Sequence, residues 1–296
     1  MRLVALIGIF AGIGLLAVLV QYNFPALAAW AVEQQRAFQN QIAEAVYGLR
    51  AGEPGAWFAL LGAAGAYGFV HAVGPGHGKY LIGGVGLGQN VSAARLLGVA
   101  LISSLAQAAW AIVLVYGGLH LLQLSAARLT SISEDYLAVI SYVAIGAIGA
   151  ILIWRGVVSL RHARTADHDH HHDDCGCHAH GPRPEDVAGL TSVRDTVALI
   201  ASIAIRPCTG AIFLLVIAWQ LDIIWAGAAA VITMGIGTGL LTSMVAVSSV
   251  FARGLAFAST DRLGVATLAI PSLQVLTGLL ILWFSILLLR VGGGIV

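Results

Sequence analysis

Apolar runs of about twenty residues recur along the whole chain, at approximately 3–20, 56–74, 96–122, 137–158, 196–219, 223–250 and 266–289. Each can cross about 30 Å of hydrocarbon as a helix. Within hydrocarbon every backbone N–H and C=O needs a partner in the chain, which leaves helices or a closed barrel. Barrel strands are shorter and alternate in polarity, and these runs do neither. With 59% hydrophobic and only 10% charged residues, the chain also lacks the charged exterior a soluble domain needs. The expected fold is an all-α polytopic membrane protein of about seven transmembrane helices. Its net charge of +1 offers no basis for a nucleic-acid partner.

Segments follow from the runs. Residues 1–21 form an N-terminal transmembrane helix or signal anchor. Its apolar core of 18 residues exceeds the roughly 7–15 of a signal peptide, although Ala26-Leu27-Ala28-Ala29 resembles a cleavage site. Residues 22–55 form an external segment in which Trp30, Phe38, Ile42, Ala45, Val46 and Leu49 recur near helical spacing. That pattern suits an amphipathic helix lying against the outer membrane surface. Glycine pairs such as Gly8/Gly12 and Gly146/Gly149 suit close helix packing.

Basic residues orient the chain. With the N-terminus inside, ten lie on the inner side, among them Lys79, Arg95, Arg155, Arg161 and Arg253, against Arg36, Arg50, Arg128 and Arg290 outside. The positive-inside rule then makes the loop 159–193 cytoplasmic. That loop contains seven of the ten histidines, four aspartates between 167 and 174, and two cysteines. It has no apolar periodicity and is expected to be disordered without a ligand; tracts of this composition bind metal. Its candidate ligands are His168, His170, His171, His172, Cys175, Cys177, His178 and His180.

Helix breakers fall at two corresponding places: Gly74-Pro75-Gly76 interrupts the second run, and Pro207 to Gly210 the fifth. Proline removes a backbone donor and turns the preceding residue away from helix. One such kink is ordinary in a membrane helix. Two at matched positions divide the chain into 56–158 and 194–290, three spans each and oppositely oriented. This is the pattern of a 3+3 inverted-repeat transporter, in which a broken helix opens each half and released carbonyls can coordinate ions near the midplane.

The chemistry gathers at these breaks. His71 and His77, six residues apart, would face different sides of a continuous helix; a break lets both imidazoles turn toward one ion. Neutral imidazole suits Zn²⁺, Ni²⁺, Co²⁺ and Cu²⁺, whereas Mg²⁺ or Ca²⁺ would call for carboxylates, and no apolar run has an interior acid. A histidine within a span marks a functional site by default. His120, near a helix end, is a weaker candidate. Lys79 is expected to anchor the cytoplasmic end of its helix. Arg206, with no acid close in sequence, is expected to bond carbonyls released at the break. Thr233 to Thr238, Thr242, Ser243 and Met244 form a polar patch in the sixth run, suited to helix packing or to lining an ion path. Thr209, Met234 and Thr238 are candidates for that path. Gly78-Lys79 is not a phosphate loop, since Val73 and Tyr80 stand where glycine and Ser/Thr are required. No nucleotide, no tightly bound cofactor and no enzymatic activity are expected.

These motifs resemble those of the nickel/cobalt efflux family, the NicO or RcnA-like transporters. The resemblance rests on His71-Ala72-Val73-Gly74-Pro75-Gly76-His77-Gly78-Lys79 and on Arg206-Pro207-Cys208-Thr209-Gly210-Ala211, with weaker support from Met234 to Thr238 and the His-rich loop. It implies an inner-membrane transporter of Ni²⁺ and Co²⁺, usually an exporter. His71 and His77 match the family's histidines and Cys208 the cysteine of its second motif. Cys175 and Cys177 depart from the pattern and broaden the choice toward Zn²⁺ or Cu⁺.

The leading function is a secondary transporter of divalent transition metal, binding through His71, His77 and Cys208. Protons are candidate counter-ions, and the loop gathers ions at the cytoplasmic mouth. Alternatives are a zinc importer of the same family, a metal-delivery accessory protein, and a membrane thiol–disulfide carrier. The last needs a second cysteine, and the position matching Cys208 in the first repeat offers Pro75, Gly76 and His77.

Overall fold

The computed structural model describes residues 26, 29–73, 77–89, 91–165, 193–258 and 266–292, and their regular structure is helical throughout. The first apolar run, Gly8/Gly12, Gly74 to Gly76, and the loop ligands from His168 to His180 lie outside the described residues.

Helix α1 covers 29–51. Then come α2 (Ala56–Val73), α3 (His77–Gly88), α4 (Ala93–His120) and α5 (Ala126–Ser131); a π-helical turn (Ile132–Leu137) carries the last on into α6 (Ala138–Thr165). The second half comprises α7 (Val193–Ala204), α8 (Thr209–Gln220), α9 (Ile224–Ala258) and α10 (Ala266–Gly292). Starts are set locally: Ser92 and Ser125 accept from the amides of Arg95 and Arg128, three residues on, which pairs donors that a helix leaves orphaned.

Among the described residues, four helical stretches are long and apolar enough to cross a membrane: α2, α4, Ala127–Arg161 and Ile224–Gly254. Helices α7 and α8 together make a fifth span, bent by 64° at its break. In α10 the apolar stretch is shorter, Gln274–Arg290. The chain is a multi-pass membrane protein. The fourth apolar run acquires a polar preface: the helix starts well before residue 137 and takes in Glu134 and Asp135.

Glycine seams set the packing. α2 crosses α9 with Gly68 against the backbone of Met234 and Gly237 against that of Gly65, so neither position has room for a side chain. α6 lies along α10 through Gly146, Gly149 and Gly156, which meet Ser285, Gly278 and Val275 in turn. α4 packs on α9, where Gly235 rests on Ser104 and Ala108. Helix α9 also packs on both α2 and α3, and α4 on both α7 and α8.

Helix α1 has the expected amphipathic stripe, and except at Trp30, which is exposed, protein covers most of it. Ala31, Ile42, Ala45 and Val46 are buried, the last three in one core with Leu60, Ala64 and Tyr67 of α2. Gln35 reaches His71 and Gln39 reaches Tyr67. Four residues forward on α1 correspond to four residues back on α2, so the two helices form an antiparallel hairpin. The turn between them uses Gly52 and Gly55 at positive φ, a conformation glycine adopts without strain. The apolar face that the periodicity assigned to the membrane surface is thus buried against α2.

Candidate metal site at the two helix breaks

The interior is layered. Along α4, Leu96, Val99 and Ala100 belong to one apolar core, and Ala108, Ala111 and Val115 to another. Between them come Ser103, Ser104 and Gln107, which line a cavity of about 190 Å³. The other elements repeat the order. Tyr67 precedes His71, Ala72, Gly78 and Lys79, and Leu81 follows; Ile203 precedes Arg206 to Thr209, and Ala211 follows; Met234 precedes Thr238 and Thr242, and Ala246 follows. A polar belt, lined from both helix breaks, therefore lies between two dry cores.

Of the residues singled out from the sequence, His71, Cys208, Thr209 and Thr238 line this one cavity, beside Pro207. Residue 77 opens α3, but its side chain lies outside the described residues. Cys208 is the N-cap of α8, with extended backbone (φ −76°, ψ 144°); its carbonyl accepts the amides of Ala211 and Ile212 at 3.1 and 3.2 Å. Proline at 207 and this extended cap account for the bend. The thiol approaches the Met234 thioether at 3.7 Å, and Met234 itself is buried behind the cavity wall. Thr238 donates to the carbonyls of Gly68 and Met234, both at 3.1 Å, pinning α9 to α2. The polar patch of the sixth run thus serves both purposes: Gly235 and Gly237 permit close packing, while Thr238 and Thr242 face the cavity. Gly210 supports the Tyr67 ring, which a Cβ at that position would strike. His120 lies apart, edge-on to Trp219.

His71 is held on two sides. Its ring stacks on Tyr67, 5.6 Å between centroids and 14° from parallel. Its Nδ1 lies 3.0 Å from Oε1 of Gln35.

Both basic residues bond within the polar belt. Lys79 donates back to the carbonyls of Ala72 and Val73 at 3.1 and 2.7 Å, capping α2. Arg206 meets a carboxylate instead of released carbonyls: it pairs with Glu134 at 2.9 Å and donates to the Tyr142 hydroxyl. The carbonyl of Arg206 accepts from Gln107 at 2.5 Å. Side chains thus satisfy the carbonyls of Ala72, Val73 and Arg206 beside the breaks, as a buried polar group requires.

Glu134, Gln107 and Gln35 were not singled out. Gln107 carried a signal as the one amide inside the third apolar run, and Glu134 as an acid only three residues before the fourth. Gln35 looked like one of many polar residues on an amphipathic helix. Chemically the cavity offers an imidazole, a thiol, a carboxylate and hydroxyls. Among the described residues, however, no three His, Cys, Asp or Glu side chains converge closely enough to hold an ion.

The model of the NicO family, described as high-affinity nickel-transport protein, matches residues 57–186. A protein of Haemophilus influenzae whose name describes a nickel/cobalt efflux system is 30% identical over 263 residues, covering 81% of this chain and 80% of the relative. No solved structure matches. The similarity extends well beyond the matched segment and includes both helix breaks, and the chain belongs to the NicO family of nickel-transport proteins.

Proposed function

We propose that the protein is a secondary transporter that exports divalent transition-metal ions, Ni²⁺ and Co²⁺ first and Zn²⁺ as a further substrate, across the inner membrane. The observation that carries this reading is the convergence of His71 and Cys208, from two separate helix breaks, on one polar belt between dry cores. His77 completes the site from the start of α3, and Thr209 and Thr238 line the path. Imidazole and thiol favour transition metals over Mg²⁺ and Ca²⁺. The name of the Haemophilus relative supports efflux and the choice of nickel and cobalt.

The two halves act as a 3+3 inverted repeat. Exchanging their roles is consistent with the principal contacts: the second helix of each half packs on both arms of the other half's broken helix, and α6 packs on α10. Rocking of one half against the other opens the site to each side in turn. Protons compete with metal for imidazole and thiol and serve as counter-ions. The His- and Cys-rich loop, on the cytoplasmic side, collects ions for the site.

Reconstitution into proteoliposomes tests this, following Ni²⁺, Co²⁺ and Zn²⁺ flux for the wild type, His71→Ala, His77→Ala, Cys208→Ser and a deletion of 166–192. Flux should require the histidines and fall on removal of the thiol, while loop deletion lowers it only at low metal concentration. A wild type that moves none of these metals would sink the transporter reading. Dependence on the loop alone would favour a metal-delivery protein.

A further inference from the structure

We propose that Gln35 is a positioning residue that holds His71 as its Nδ1–H tautomer and leaves Nε2 as the nitrogen that receives the ion. This rests on the reading of His71 as a metal ligand.

Which nitrogen carries the proton follows from the amide. Gln35 donates its Nε2 to the carbonyl of Ala31, one turn back in α1, at 3.2 Å. Its Oε1 is thereby the atom presented to Nδ1 of His71 at 3.0 Å. Rotating the amide by half a turn would set Oε1 against the Ala31 carbonyl oxygen, two acceptors in contact. An amide oxygen can only accept, so Nδ1 must be the donor. A neutral imidazole with hydrogen on Nδ1 has its ring lone pair on Nε2.

The ring plane is fixed as well. Tyr67 stacks on it from one turn earlier in α2, and the Tyr67 hydroxyl accepts from Gln39 at 3.4 Å. Two glutamines four residues apart on α1 thus govern the ring and its stacking partner. An outer acceptor on one nitrogen and a metal on the other is how ligating imidazoles are usually oriented; losing such an acceptor typically weakens metal affinity about 10–100-fold. Helix α1, outside both repeats, supplies this acceptor.

The test uses the full-length protein, labelled with ¹⁵N-histidine and studied metal-free in lipid bilayers by solid-state NMR. The His71 signals are identified by difference against His71→Ala. In the wild type, His71 should show a protonated Nδ1 and an unprotonated Nε2. Gln35→Leu should move the proton to Nε2 in a substantial fraction and weaken Ni²⁺ binding about 10–100-fold. Gln35→Glu keeps an oxygen for Nδ1 but sets its second oxygen against the Ala31 carbonyl, so His71 should keep Nδ1 protonated while Ni²⁺ binding falls less than in Gln35→Leu. A wild-type His71 protonated on Nε2 overturns the proposal without need of any variant, as does a Gln35→Leu protein that keeps the Nδ1–H form. If the tautomer depends on Gln35 while Ni²⁺ does not bind, the hold on the ring stands and the metal-ligand reading fails.

Discussion

Replacing Gly68 by alanine puts a methyl group where α2 and α9 touch backbone to backbone. The new Cβ would lie 2.8 Å from the carbonyl carbon of Met234 and 3.0 Å from its Cα, and nearer still to its oxygen. A backbone atom cannot rotate aside. Carbon atoms settle about 3.5–4.0 Å apart, so the helices must separate locally by roughly 0.7 Å or more. Overpacking of this kind costs about 1–3 kcal/mol. The entropic gain of Gly→Ala, about 0.4–1 kcal/mol, offsets part of it. The same separation strains the bond from Thr238 to the Gly68 carbonyl, 3.1 Å long. It also displaces His71, one turn along α2, from Cys208, which touches Met234. Because a binding constellation works only within about 0.5 Å of its geometry, transport should fall more steeply than stability. Gly62→Ala is the control, on the same helix with nothing within 4 Å of its Cβ. Unfolding in mixed micelles and Ni²⁺ flux in proteoliposomes would be measured for both. A Gly68→Ala protein as stable and as active as Gly62→Ala would refute the reasoning.

Two further outcomes follow from the charged groups of the belt. Glu134→Gln leaves the Arg206 guanidinium facing the cavity without its carboxylate. The pair is partly exposed, so stability should change by no more than about 1 kcal/mol. A divalent ion then meets an uncompensated positive charge, and calorimetry should show Ni²⁺ affinity reduced about tenfold or more; equal affinity would separate Glu134 from the site. Lys79→Met removes the donor to the carbonyls of Ala72 and Val73. Unfolding should show a loss of about 1.5–3 kcal/mol, as for charge-assisted bonds, with Lys79→Arg losing less.

Much of the architecture is determined by properties that act over short stretches of sequence. Apolar length specifies a membrane-spanning helix wherever it occurs. Serine at 92 and at 125 pairs an amide three residues away, and Pro207 withholds a donor in its own turn. Polar residues inside apolar runs, His71, Cys208 and Thr238 among them, are legible for the same reason: hydrocarbon tolerates them only with a partner or a purpose.

Tertiary structure decided the partners. Arg206 finds Glu134 across 72 positions of sequence, and Gln107 finds the Arg206 carbonyl across 99; no window of local sequence contains either pair. Lys79 is close in sequence to the carbonyls it caps, yet only the particular fold of the break turns its side chain back on them. Helix α1 makes the same point. Its periodicity predicts one apolar face but cannot say whether lipid or protein covers it, since both are apolar. The turn at Gly52 and Gly55 lays that face along α2 and brings Gln35 to His71. The sequence by itself determined that this chain spans a membrane and interrupts two helices beside an imidazole and a thiol. Only packing determined which groups meet at the interruptions, because hydrogen bonds and ion pairs depend on distances in space that the order of residues does not contain.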